Sequence, residues 1–160
     1  MDQVRVGIIG SAFSSNIHAE ALQEVPEAKV VAACSLNKGH VEEFARKWKI
    51  PDTATDFRKL LDRKDIDALV IGIPNDLHRE VVVEAARARK HVIIEKPLAH
   101  TLDDADAMVK ACAKHKVKLM YAETICFSPK YTRAKKLVEE GAIGRLYMAK
   151  QGEKHSGPHS

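Results

Sequence analysis

The chain has 160 residues, enough for one well-filled core and the start of a second unit. Hydrophobic residues make up 45% and charged residues 30%, an ordinary globular composition, and no apolar run approaches the roughly 20 residues of a membrane helix. The formal charge of +4 is spread over helix faces, at residues such as Arg87, Arg89 and Lys90; this argues against a nucleic-acid stripe and leaves phosphate-bearing small ligands open.

Strand and helix patterns alternate from the start. Residues 4–9 form an apolar strand, followed by a small-residue turn and a helix with His18, Ala21, Leu22 and Val25 on one face. Residues 28–34 give the second strand. Val41, Phe44, Ala45 and Trp48 then recur at i, i+3, i+4, i+7, the spacing of an amphipathic helix. Residues 53–55 fit a short third strand, and Asp56 a cap for a short helix through Leu60 and Leu61. Residues 68–73 form a fourth strand stopped by Pro74, and Asn75 is placed to cap a helix whose apolar face is Val81, Val82, Ala85 and Ala86. The apolar run 91–94 is the fifth strand. Thr101 with Asp104 resembles a capping box ahead of a stripe of Ala105, Met108, Val109 and Cys112. Residues 117–121 form a sixth strand. Ser128-Pro129 opens a helix with Ala134, Leu137 and Val138 inward and Gly141 as its stop, and 146–149 reads as a further strand. Such alternation implies an α/β fold with a doubly wound parallel sheet. Residues 152–160 are polar and rich in Gly, Ser and His; they suggest a chain that stops inside a larger architecture.

Cys34, Cys112 and Cys126 are odd in number and lack CxxC spacing. Their apolar context predicts reduced core thiols and a cytoplasmic protein. His155 and His159 flank Gly157 and Pro158, which prevents a shared helical face, so no metal site is expected.

The turn after the first strand is Gly10-Ser11-Ala12-Phe13-Ser14-Ser15. A dinucleotide fold needs a tight turn here, so that the next helix points its N-terminus at a pyrophosphate. The G-x-G-x-x-G template keeps its first glycine at Gly10. Ala12 still allows close backbone approach, and Ser14 or Ser15 is suited to capping the helix or touching phosphate. An acid on the ribose 2′-hydroxyl is expected about 20–25 residues further on. Instead the chain reads Cys34-Ser35-Leu36-Asn37-Lys38. Ser35 and Asn37 donate hydrogen bonds and Lys38 supplies positive charge, a set that accepts a 2′-phosphate where a carboxylate repels it. NADP, or use of both, is therefore favoured over NAD. At the end of the fifth strand comes Glu95-Lys96-Pro97. In an open α/β sheet, ligands bind outside the carboxyl ends of strands, so Lys96 is the candidate catalytic residue, as acid/base or as a charge that polarises a substrate oxygen.

In this order the pieces resemble the Gfo/Idh/MocA family of nicotinamide-dependent oxidoreductases, over nearly the whole chain. The marks are Gly7-Ile8-Ile9-Gly10, His18, Pro74-Asn75-Asp76-Leu77-His78, Glu95-Lys96-Pro97, Phe127-Ser128-Pro129 and Gly141-Ala142-Ile143-Gly144-Arg145. The resemblance implies a Rossmann domain over 1–122, and over 123–160 the first helix and strand of an incomplete domain for substrate and oligomer contacts. It implies a sugar, inositol or related polyol as substrate, a homo-oligomer formed through the missing part, and neither nucleic acid nor membrane as partner. It places Lys96 beside the nicotinamide and the substrate hydroxyl, Glu95 and Pro97 in the loop around it, and Pro74, Asn75 and His78 along the cofactor cleft. The family's acid/base histidine lies past residue 160, so the chain alone is expected to be inactive. The departures are the glycine turn, reduced to Gly10, and Cys126 where an arginine is frequent. The other reading of the residues is a nucleotide-binding module for sensing or assembly, without catalysis.

Overall fold

The computed structural model describes residues 3–152, which divide into two compact units between Glu123 and Thr124. In the first unit the elements run β1 (Val4–Ile9), α1 (Phe13–Gln23), β2 (Ala28–Cys34), α2 (Lys38–Trp48), β3 (Asp52–Ala54), α3 (Arg58–Leu61), β4 (Ala68–Ile71), α4 (His78–Arg87), β5 (His91–Glu95), α5 (Leu102–His115) and β6 (Leu119–Ala122). The six strands form one parallel sheet in the order β3-β2-β1-β4-β5-β6. This is the Rossmann arrangement, with the order reversing between β1 and β4.

Each face of the sheet is covered by its own helices. On one face, Ala19 of α1 and Val41, Phe44 and Ala45 of α2 pack on Val6, Ile8, Ala33 and Val70. On the other, Leu60 and Leu61 of α3, Val81, Val82, Ala85 and Ala86 of α4, and Met108 and Cys112 of α5 pack on Leu69, Ile71, Val92 and Ile94. Burial on both faces is why the strands are continuously apolar. The expected stripe of α1 is corrected: its buried residues are Ser15 and Ala19, while Ala21 and Val25 are exposed. Val109 of α5 is also exposed.

Several boundaries differ from the sequence expectation. β4 ends at Ile71, because Gly72 turns the chain after its N–H donates to Ile9 O at 2.8 Å. Asn75 does not cap α4. Residues Asn75–Leu77 form a separate 3-10 turn and α4 begins at His78 without a side-chain cap. β6 starts at Leu119, since the Val117 N–H closes the end of α5 on Cys112 O and the Lys118 N–H donates to His91 Nδ1. The Thr101 cap holds as expected: its Oγ1 accepts from the Asp104 N–H at 3.1 Å and donates to Asp104 Oδ2 at 2.8 Å.

The second unit contributes a 3-10 turn, Thr124–Phe127, and α6 (Pro129–Glu139). Pro129 opens α6 as expected, but no residue of that helix is buried. Residues 146–149 are not a strand, having no strand among the described residues of this unit to pair with. Cys34 and Cys112 are buried, whereas Cys126 in the 3-10 turn is exposed, which corrects its placement in a core. No described helix is long and apolar enough to cross a membrane.

The amino-terminal edge of the sheet is held by charge. The Asp67 carboxylate accepts from the Arg5 backbone N–H, Nε and Nη2 at 2.8, 2.9 and 2.8 Å, and these bonds hold its pKa down at about 2. Nearby, Lys90 Nζ donates to the carbonyls of Arg63 and Ile66. An unfolded aspartate titrates near 3.9, so the unfolded chain binds the extra proton as pH drops. The stabilisation is therefore present above about pH 4 and is lost as pH falls toward 2. Asp67 is 38% exposed, so solvent screening reduces the contribution to about 1 kcal/mol. The expected result is that Asp67→Asn lowers the urea midpoint at pH 6 and that its gap from the parent chain shrinks toward pH 2.5; a gap constant with pH would reject the assignment.

Candidate functional site

The site is built where β1, β2 and β4 end. Gly10 leaves β1 with φ +112, a backbone state that side chains rarely adopt. Its N–H donates to Cys34 O at 2.8 Å, which ties the turn to β2. A Cβ on Gly10 would lie 2.1 Å from Gly72 O, and a Cβ on Gly72 would lie 2.7 Å from Ser15 Oγ and 2.8 Å from Ser14 Oγ. The β1–α1 turn and the end of β4 thus touch backbone to backbone. Ser15 occupies the third position of the glycine template. It is fully buried and its hydroxyl donates to Gly72 O at 3.5 Å, so what the fold requires there is a small residue.

Above this contact lies a cleft of about 430 Å³. Of the residues singled out from the sequence, Gly10, Ser11, Ala12, Ser35 and Pro74 line it and Asn37, Lys38, Asn75 and Lys96 do not; Cys34, whose thiol is pushed up to about 11 by burial, lines it as well. The sequence did not mark its apolar walls, Leu36, Phe57, Ile73 and Leu77, nor Gly72 and His40. Of these, only Gly72 carried a signal, as a glycine at a strand end before a proline. A smaller depression of about 290 Å³ lies between α1 and α2, lined by Ser11, Asn16, His40 and Lys47 among others.

The residues fit a pyrophosphate. Ala12 precedes α1 with no side-chain cap, and the first turn of the helix contains no acid. The first-turn N–H groups and the positive end of the helix dipole are left for an external anion. Phe13 opens α1 and is largely exposed, and Ser14 stands against Gly72.

At the end of β2 the structure gives each residue a place. Ser35 faces the cleft. Asn37 caps α2, its Oδ1 accepting from the His40 N–H at 3.1 Å. Lys38 is exposed in the first turn of α2, with Nζ 3.8 Å from Glu42.

Two loops complete the carboxyl edge. Asn75 opens the 3-10 turn after β4. His78 is 1% exposed and faces protein instead of the cleft: Nε2 lies 3.0 Å from Ile73 O and Nδ1 3.1 Å from Leu98 O. Glu95 ends β5, and its Oε1 accepts from His18 Nε2 at 2.8 Å while its Oε2 accepts from the Lys96 N–H at 3.0 Å. Lys96 follows, exposed and joined to Pro97 by a cis peptide. No group of three or more metal-ligating side chains occurs among the described residues; His155 and His159 lie outside them.

Comparison with known proteins matches residues 4–123 to the oxidoreductase family GFO_IDH_MocA, NAD-binding Rossmann fold. The chain belongs to this family. Levoglucosan dehydrogenase of Pseudarthrobacter phenanthrenivorans is 35% identical over 91% of this chain and 40% of its own length. Myo-inositol 2-dehydrogenase of Thermotoga maritima is 30% identical over 91% of this chain and 43% of its own. Among solved structures, a levoglucosan dehydrogenase complex with NADH and levoglucosan superposes with a TM-score of 0.86 at 34% identity, covering 90% of this chain and 41% of that one. The chain thus spans about two fifths of the length of these family members.

Proposed function

We propose that this chain is the cofactor-binding part of a nicotinamide-dependent dehydrogenase acting on a hydroxyl or keto carbon of a sugar, inositol or related polyol. The observation that carries the reading is the placement of Lys96 at the carboxyl end of β5, on the same sheet edge as the open N-terminus of α1. Dinucleotide binding alone has no use for a lysine there. The nicotinamide, when bound, supplies the hydride acceptor or donor.

The chain's own residues do the rest. Gly10, Ser11, Ala12, Phe13 and Ser14 present the start of α1 to the pyrophosphate. Ser35, Asn37 and Lys38 flank the ribose, and Pro74 and Asn75 form the opposite wall, which His78 supports from behind. Lys96 meets the substrate oxygen as acid/base or polarising charge, while Glu95 fixes the loop. Residues 123–160 begin the domain that carries substrate and oligomer contacts, and the whole protein is a cytoplasmic homo-oligomer. The substrate class is supported by the relatives that act on levoglucosan and inositols.

NADP is the preferred cofactor in this reading. The reading is supported by the absence of an acid at the end of β2 and by Ser35, Lys38 and the cleft-lining His40, a set whose donors and charge would accept a 2′-phosphate. Titration of the chain with NADPH and NADH tests this. NADPH is expected to bind more tightly, and Ser35→Asp to move the ratio toward NADH by about tenfold through charge repulsion. Tighter NADH binding by the parent chain discards the 2′-phosphate argument; binding of neither discards the cofactor role.

A further inference from the structure

Glu95 and Lys96 are adjacent, and an unengaged carboxylate at the end of a strand would be available to the neighbouring ammonium. In this structure both oxygens of that carboxylate are already engaged elsewhere. A carboxylate only accepts hydrogen bonds, so His18 Nε2 is the donor in the 2.8 Å contact with Glu95 Oε1. The second oxygen, Oε2, accepts the backbone N–H of Lys96 at 3.0 Å. The two side chains are 15% and 12% exposed, which shields the bond from water and strengthens it. Among the described residues no carboxylate pairs with Lys96 Nζ.

The far side of the same short loop is held by a second histidine. His78, on the first turn of α4, sits between Leu98 O and Ile73 O, with its ring nitrogens 3.1 and 3.0 Å from them, and its N–H donates to one of the two carbonyls. Its imidazole therefore couples the segment after Lys96 to the segment after β4 that walls the cleft. Lys96 lies between two fixed points: Glu95, tied to α1 by His18, and Leu98, tied to α4 by His78. Neither histidine lines the cleft.

We infer that His18 and His78 are positioning residues that brace the loop 95–98 from both ends. In this arrangement His18 and the Lys96 backbone N–H hold the Glu95 carboxylate without an ion pair to Lys96 Nζ, which keeps the ammonium available to a substrate oxygen. The inference rests on the catalytic reading of Lys96. It adds that the reactivity of Lys96 depends on a side chain from α1.

The test is made in the intact enzyme, with a readout that simple destabilisation does not move. His18→Ala is expected to lower kcat about 10- to 100-fold, as a misplacement near 1 Å does, with the KM for the nicotinamide cofactor changed less than about twofold. His18→Gln keeps an N–H within reach of Glu95 and is expected to restore most of the loss. On a Lys96→Met background, His18→Ala is expected to cost nothing further, because the group it positions is gone. His78→Gln is expected to show the same split between kcat and KM. A rise in cofactor KM with kcat unchanged, full activity of His18→Ala, or an undiminished loss on the Lys96→Met background would each overturn the brace. Should Lys96→Met itself retain full turnover, the catalytic reading fails separately. The brace is then judged in the unliganded chain by exchange of the Lys96 amide proton, expected about tenfold faster in His18→Ala; an unchanged rate rejects it.

Discussion

Gly10→Ala is expected to cost about 3–5 kcal/mol and to abolish cofactor binding. Two causes add. The φ of +112 lies where an alanine is strained, and the new Cβ would fall 2.1 Å from Gly72 O, a backbone atom that cannot rotate away. Relief by shifting the turn is blocked from both sides, since the Gly10 N–H is bonded to Cys34 O and the Gly72 N–H to Ile9 O, each at 2.8 Å. Thermal unfolding should drop by about 10 °C or more in a chain of this size. Gly141→Ala is the control: its φ is +69, but nothing lies within 4 Å of the added methyl, so only the backbone strain of about 1 kcal/mol is expected. Equal melting losses for the two variants would show that the close approach of β1 and β4 contributes nothing. A folded Gly10→Ala chain that binds NADH normally would remove the turn from the cofactor site.

Lys96→Met is expected to reduce turnover of the intact enzyme about 10²- to 10⁴-fold while leaving cofactor affinity within about threefold. Methionine keeps the length and apolar stem of lysine and removes the charge and the proton. The residue is exposed, and its side chain takes part in no ion pair among the described residues, so its loss should leave the melting temperature of the chain almost unchanged. Steady-state kinetics with a polyol substrate, a cofactor titration and a melting curve together make the check. Retained turnover defeats the assignment, and a parallel fall in stability would mean that the lysine is structural.

The strand and helix order was legible because each element announces itself locally, by an apolar run or by the 3.6-residue stripe of Val41, Phe44, Ala45 and Trp48. The position of the candidate site was legible for the same reason, since the ends of strands are visible in the sequence. What stayed hidden depends on contacts between segments far apart in the chain. Nothing near Gly72 tells that its carbonyl receives the Ser15 hydroxyl, nor does anything near Leu36 or Phe57 tell that they wall one cleft. His78 reads as a cleft residue from its place after Pro74-Asn75, yet the fold buries it with both ring nitrogens facing backbone carbonyls. The strand expected at 146–149 has the right composition, but a strand needs a neighbour, and composition does not supply one.

The anchoring of Asp67 to Arg5 at the amino-terminal edge of the sheet has a consequence for how such a domain can change. The charged anchors Arg5, Asp67, Arg63 and Lys90 lie on one rim, while Gly10, Ser35 and Lys96 sit on the other. Groups separated by the length of a strand and sharing no partner combine additively. Substitutions at Ser35 should therefore leave untouched what the Arg5–Asp67 pair contributes to the stability of the scaffold.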